Sequence, residues 1–128
     1  MESKDDRLTR GQEIRTRIMG GGWVSSATVS PGLAAFTERA VDHVWSTVWT
    51  DPAMPLPMKS TVTLSVLIAQ GHLDEFEAHA AGALRAGLLD AATLRAIVLH
   101  ALPYVGFPAA RHAMATLDGA IAEVEGAR

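Results

Sequence analysis

The chain contains no cysteine. That single absence removes disulfide frameworks, thiolate metal sites, thiol nucleophiles and redox chemistry carried by the protein itself. Aromatic residues are scarce, at 5%, and no stretch reads convincingly as a strand, because β-branched alternation is rare. No apolar run reaches the roughly 18 residues that a bilayer span requires. Neither sign of charge dominates. The net charge is −3 with both signs mixed along the chain, so no basic face for nucleic acid is expected. The N-terminus, MESKDDRLTR, is charged from the start, which excludes a secretory h-region and points to a soluble, cytoplasmic protein. A Gly-rich phosphate loop, a GxSxG elbow and an internal repeat are missing too.

What remains is a helical chain. Its 128 residues are 48% apolar and 20% charged, the balance of a globular protein and the size of one domain, residues 1–128. Residues 4–19 read as an amphipathic helix, stopped by Gly20, Gly21 and Gly22. Trp23 to Ser30 reads as short, polar and irregular. Ser30 and Pro31 form a cap-and-first-turn pair for a second helix to Val48, with Leu33, Phe36, Ala40, Val44 and Val48 on its inner stripe. Three prolines make TDPAMPLP an extended loop. A third helix, from about Met58 to Ala69, is apolar nearly all round and reads as central and buried. Asp74 is the expected cap of a fourth helix, which ends at Gly87. Asp90 caps a fifth, which Pro103 should kink or end. Pro108 starts a sixth, to about Val124. The expected fold is all-α, a six-helix orthogonal bundle. Its apolar surface exceeds what one small bundle covers, so a homo-oligomer of closed symmetry is expected.

The run from Gly71 to Ala110 concentrates the chemistry. His72, Glu75 and His79 share one side of the fourth helix, because residues three, four or seven apart share a face. His100 and Tyr104 lie one turn apart on the fifth. His79 is flanked by Ala78, Ala80 and Ala81, which leaves room for a ligand beside a group able to exchange protons near neutral pH. Glu75 is placed to orient it; the plainer alternative is an i,i+4 pair on a solvated face. His100 and Tyr104 sit just before the Pro103/Gly106 break, facing a cavity or packed as core. Lys59, at the start of the third helix, could hold a carboxylate or an enolate oxygen. Trp45 and Trp49 line a pocket, a subunit contact or, the better choice, the core. His43 and His112 are expected at the surface or an interface. A His72–Glu75–His79 metal triad is conceivable by ligand type, but no recognised zinc spacing is present, so neither metal nor cofactor is expected.

Four segments in order carry a resemblance: RLTRGQEIRTRIMG at 7–20, VWSTVWTDPAM at 44–54, KSTVTLSVLIAQG at 59–71 and EFEAHAAGALRAGLLDAATLRAIVLHALPYVGFPAA at 75–110. Together they resemble the carboxymuconolactone decarboxylase family of the alkylhydroperoxidase-D-like fold. The resemblance implies an all-helical trimer or hexamer of identical chains and a cofactor-free lyase. Thiol-dependent relatives carry CxxC before the histidine that matches His79. Those thiol positions fall here on His72 and Glu75, which implies the decarboxylase-like branch and not a thiol peroxidase. Three positions depart from the usual family pattern. Asp51 and Lys59 stand where arginines are common, and Ala96 stands where a glutamate precedes the fifth-helix histidine. Arginine grips a carboxylate bidentately and lysine does not, so a substrate with two carboxylates would be held less well.

Three readings follow. The first is a lyase decarboxylating a small cyclic or lactone acid. His79 would transfer the proton, oriented by Glu75. Lys59 and His100 would stabilise developing negative charge, and His72, Tyr104 and Trp49 would contact substrate. The second keeps the fold and turns the same groups to tautomerisation, dehydration or cyclisation of a larger, less charged intermediate. The third is a helical oligomer that binds a ligand or partner helix without catalysis.

Overall fold

The structure, a computed structural model, describes residues 1–20 and 30–128. The reading of Trp23 to Val29 as irregular, and of Gly21 and Gly22 as a turn, lies outside the described residues. Every regular element among the described residues is helical, as the scarcity of strand patterning predicts. They fall into two compact units, Met1–Met54 and Pro55–Arg128. No helix among them is long and apolar enough to cross a membrane.

In the first unit, α1 spans Lys4–Met19. Ser3 caps it by accepting from the Asp6 N–H at 3.0 Å, and the acidic first turn and Arg17 in the last suit the helix dipole. The second helix, α2, spans Pro31–Arg39, with Ser30 Oγ accepting from the Leu33 N–H at 3.2 Å. It continues without a break as a π-helix over Ala40–Val48. The Trp49 N–H reaches back five residues to the Val44 carbonyl oxygen at 2.9 Å. Ser46 and Thr50 hydroxyls donate to the carbonyls of Asp42 and Ser46, at 2.5 and 2.6 Å, and Thr47 donates to that of His43.

α1 packs against this π segment. Arg7 Nε donates to Asp42 Oδ1 at 2.6 Å and Arg10 Nε to the Ser46 carbonyl oxygen at 3.0 Å. Gly11 lets the backbones close; a Cβ there would lie 2.3 Å from the Val41 carbonyl oxygen. The expected inner stripe is corrected accordingly. Leu33, Phe36, Val44 and Val48 are exposed, whereas Val41, Trp45 and Trp49 are buried. The side that meets α1 is the one bearing Asp42 and Ser46, because those groups satisfy Arg7 and Arg10. Trp45 and Trp49 stack with ring centroids 5.1 Å apart.

The second unit holds α3 Leu56–Gln70, α4 Leu73–Arg85, α5 Ala91–Val105 and α6 Phe107–Gly126. α3 and α6 each pack against both α4 and α5. Its core combines Leu64 and Ile68 of α3, Phe76 and Ala80 of α4, Leu94 and Val98 of α5, and Leu117 and Ile121 of α6. Gly71, in the left-handed region at φ 73°, ends α3, and the His72 N–H closes the turn on the Leu67 carbonyl at 3.0 Å.

Two expectations are corrected here, and the end of α5 falls at Gly106, where the sequence places its break. α3 is not buried all round: Ser60, Leu64 and Ile68 are covered, but Met58, Val62 and Val66 are exposed. Its partner helices cover one side only, and uniform apolarity does not say how many partners a helix has. The cap of α4 is His72 and not Asp74, which lies in the first turn. α5 runs through Pro103 to Val105 and stops at Gly106. Near a helix C-terminus, proline forfeits one backbone bond without ending the remaining turn.

Candidate functional site

α3 and α5 wall a pocket of about 500 Å³ within the second unit, inside the usual range for small-molecule sites. α5 exists here because the Asp90 carboxylate caps it, accepting from the Thr93 N–H at 2.7 Å. That contact also holds the Asp90 carboxyl below its ordinary range, the Thr93 side-chain bond first and the backbone bond second. Four successive turns of α5 then face the pocket with Thr93, Ala96 and Ile97, His100 and Tyr104. From α3 come Thr61, Ser65 and Ala69, again one turn apart. The walls are mainly methyl and methylene groups. The His100 and Tyr104 rings are 5.8 Å apart, centroid to centroid, and tilted by 49°. Both side chains are exposed, so both can meet a ligand and solvent.

The structure therefore brings two of the sequence-predicted residues, His100 and Tyr104, to one pocket wall. His72, Glu75, His79 and Lys59 are not among the residues that line it. His79 sits in the middle of α4, mostly buried. Desolvation pushes its imidazole down from 6.5 to about 4, against an opposing pull from the Glu75 charge. Glu75 thus acts on His79 electrostatically, as the i,i+4 spacing predicts. His72 is exposed at the cap of α4 and makes no side-chain capping bond. Lys59 is half-buried in the opening turns of α3. Trp49 belongs to the first unit, buried against Trp45. His43 and His112 are exposed. Among the described residues, no group of three or more His, Cys, Asp or Glu side chains could hold a metal ion.

Sequence reasoning missed the hydroxyls of the pocket. Thr61 and Ser65 carry a signal of a sort: among the four hydroxyl residues of α3, they stand one turn apart on one face. Thr93 carries none, since it reads as a residue of the α5 first turn. Ala96, the position without the expected carboxylate, lies in the pocket wall one turn before His100.

Comparison with known proteins bears on the family. The sequence model described as the carboxymuconolactone decarboxylase family matches residues 34–119. The chain is similar to a 4-carboxymuconolactone decarboxylase of Acinetobacter baylyi, 32% identical over 117 residues that cover 86% of this chain and 83% of that protein. It is also similar to a nitrosuccinic acid decarboxylase of Metarhizium robertsii, 29% identical over 120 residues covering 88% and 83%. No solved structure gives a significant match.

Proposed function

This chain belongs to the carboxymuconolactone decarboxylase family, and from that premise we propose that it is a cofactor-independent lyase that decarboxylates a small cyclic or lactone acid in the α3–α5 pocket. The observation that carries the proposal is the pairing of an imidazole and a phenol, His100 and Tyr104, one turn apart in the wall of that pocket. Both relatives named above are decarboxylases, which supports the reaction class. The family match crosses the division between the two units, which supports treating residues 1–128 as one domain of that family.

Loss of carbon dioxide breaks the bond between the substrate carbon and its carboxylate. The electron pair stays on the carbon and spreads to a neighbouring carbonyl oxygen as an enolate, and the carbon then takes a proton. The chemistry needs a donor at the oxygen and an acid near the carbon. Tyr104 serves as the hydroxyl donor to the enolate oxygen, and His100, when protonated, delivers the proton. Ala96 leaves the space a longer side chain would fill.

A second assignment is favoured by one observation. His79 is desolvated and faces the Glu75 charge, and strongly perturbed groups concentrate at functional sites. In that assignment His79, neutral at pH 7, is the proton carrier and Glu75 orients it.

Carbon dioxide release from a panel of cyclic and lactone acids tests the proposal. His100→Ala is expected to lower kcat/KM by about 10²- to 10⁴-fold, with His79→Gln within about tenfold of the parent. The reverse order moves the proton carrier to His79. No release from any acid by the folded protein overturns the lyase reading.

The same reading makes the protein a homo-oligomer, a trimer or hexamer, acting on a small molecule. The exposed row Met58, Val62 and Val66, together with exposed Leu99 and Phe107, supports it. Light scattering on the eluted protein gives the assembly mass, and a monomer overturns this part.

A further inference from the structure

Five polar side chains line the α3–α5 pocket, and two of them have already given their proton away. The Thr61 hydroxyl donates to the Pro57 carbonyl oxygen at 2.9 Å. The Ser65 hydroxyl donates to the Thr61 carbonyl oxygen at 2.8 Å. Thr93 stands beside the Asp90 carboxylate, which accepts from its N–H at 2.7 Å, so a second anion there would meet like charge. A hydroxyl has one proton and two lone pairs. Thr61 and Ser65 therefore present lone pairs to a ligand.

No lysine, arginine, aspartate or glutamate is among the described residues that line this pocket, and the rest of its wall is apolar. Away from the Asp90 carboxylate, donors to a ligand come from His100 and Tyr104, side by side near the C-terminal end of α5. One carboxylate can be satisfied there. A second would meet methyl groups or lone pairs, and a desolvated charge without donors is strongly disfavoured. A ligand hydroxyl in the same place would find acceptors waiting.

We propose that the pocket selects a largely apolar cyclic acid with one carboxylate, bound before reaction beside His100 and Tyr104, whose protons turn to the enolate as carbon dioxide leaves, and a hydroxyl donor directed at Thr61 or Ser65. This substrate class rests on the reading of the α3–α5 pocket as the substrate site.

Titration calorimetry of the intact protein at neutral pH tests it with three probes of one shape: 2-naphthoate, 6-hydroxy-2-naphthoate and naphthalene-2,6-dicarboxylate. The hydroxylated probe is expected to bind about tenfold tighter than 2-naphthoate, the worth of one well-placed hydrogen bond. The dicarboxylate is expected to bind at least about tenfold weaker than 2-naphthoate. In Thr61→Val and Ser65→Ala variants the hydroxyl advantage shrinks, most in the double variant. The unmodified protein alone decides the order of the three probes, whatever the variants' folding. A dicarboxylate that binds as tightly as the hydroxylated probe overturns the substrate class and leaves the lyase reading standing. No binding by any probe overturns both. The expected order without carbon dioxide release from any acid supports the substrate class and removes the lyase reading.

Discussion

Acidification from about pH 7 to about pH 4.5 is expected to weaken the second unit through His79. In the folded chain its imidazole is mostly buried and titrates at about 4 instead of 6.5. The unfolded chain therefore takes up this proton first as pH falls. The stability contributed by keeping His79 neutral is whole above about 6.5 and is lost progressively as pH drops towards about 4. One pKa unit corresponds to about 1.4 kcal/mol, so the full loss is about 3 kcal/mol. By about pH 4.5 some 2 kcal/mol of it has gone, a sizeable share of a small domain's stability. Asp42 and Asp90 are both held below 3.8, by Arg7 and by Thr93 respectively. Their own losses come at lower pH and leave this interval largely to His79. The measurement is urea unfolding followed by far-ultraviolet circular dichroism at the two pH values, for the parent and His79→Gln. The glutamine carries no titrating group, so whatever it costs at pH 7 cancels when each protein is compared with itself. The parent should lose about 2 kcal/mol more than the variant across the interval. Equal losses in the two proteins would refute the claim that His79 is held neutral by burial.

Two further substitutions test the packing and the cap. Gly11→Ala should destabilise the first unit by about 1–3 kcal/mol despite alanine's better helix propensity of about 1 kcal/mol, because the new Cβ meets backbone that cannot swing aside. Tryptophan fluorescence from Trp45 and Trp49 during urea unfolding reads it, and an unchanged midpoint contradicts the close approach. Asp90→Ala should modestly lower the urea midpoint read by circular dichroism, through loss of the α5 cap. It should also remove the negative charge beside Thr93, narrowing the gap between the dicarboxylate and monocarboxylate naphthoates, which calorimetry measures.

Much of the second unit was legible in the sequence because its signals are local. Asp90, Gly71 and Gly106 punctuate its helices by their own chemistry, as Ser30 does in the first unit, and the spacing of His100 and Tyr104 places them on one face whatever surrounds them. The pocket's polarity was not legible. Whether Thr61 and Ser65 donate or accept towards a ligand depends on which neighbour already holds the proton, and residue type alone leaves both open. That His79 and His100 aim at one place was expected from the faces they share with their neighbours on two adjacent helices; the pocket wall includes His100 and not His79. Spacing within a helix says nothing of where a second helix lies, and α4 and α5 share α3 and α6 as neighbours. The buried face of the second helix was misjudged for another reason. A stripe drawn at the α period assumes the winding stays α, and over Ala40–Val48 it does not.

That change of winding bears on how the first unit can vary in length. In an α-helix, deleting one residue turns everything beyond it by about 100° and strands a buried face in solvent. A π segment already carries surplus residues per turn. Deleting one between Ala40 and Val48 lets the strip tighten to α winding, its carbonyls exchanging backbone partners five residues on for partners four residues on. The second helix thus contains a built-in slack turn, the place in this unit where a residue can be gained or lost with the least disturbance to Trp45, Trp49 and their neighbours.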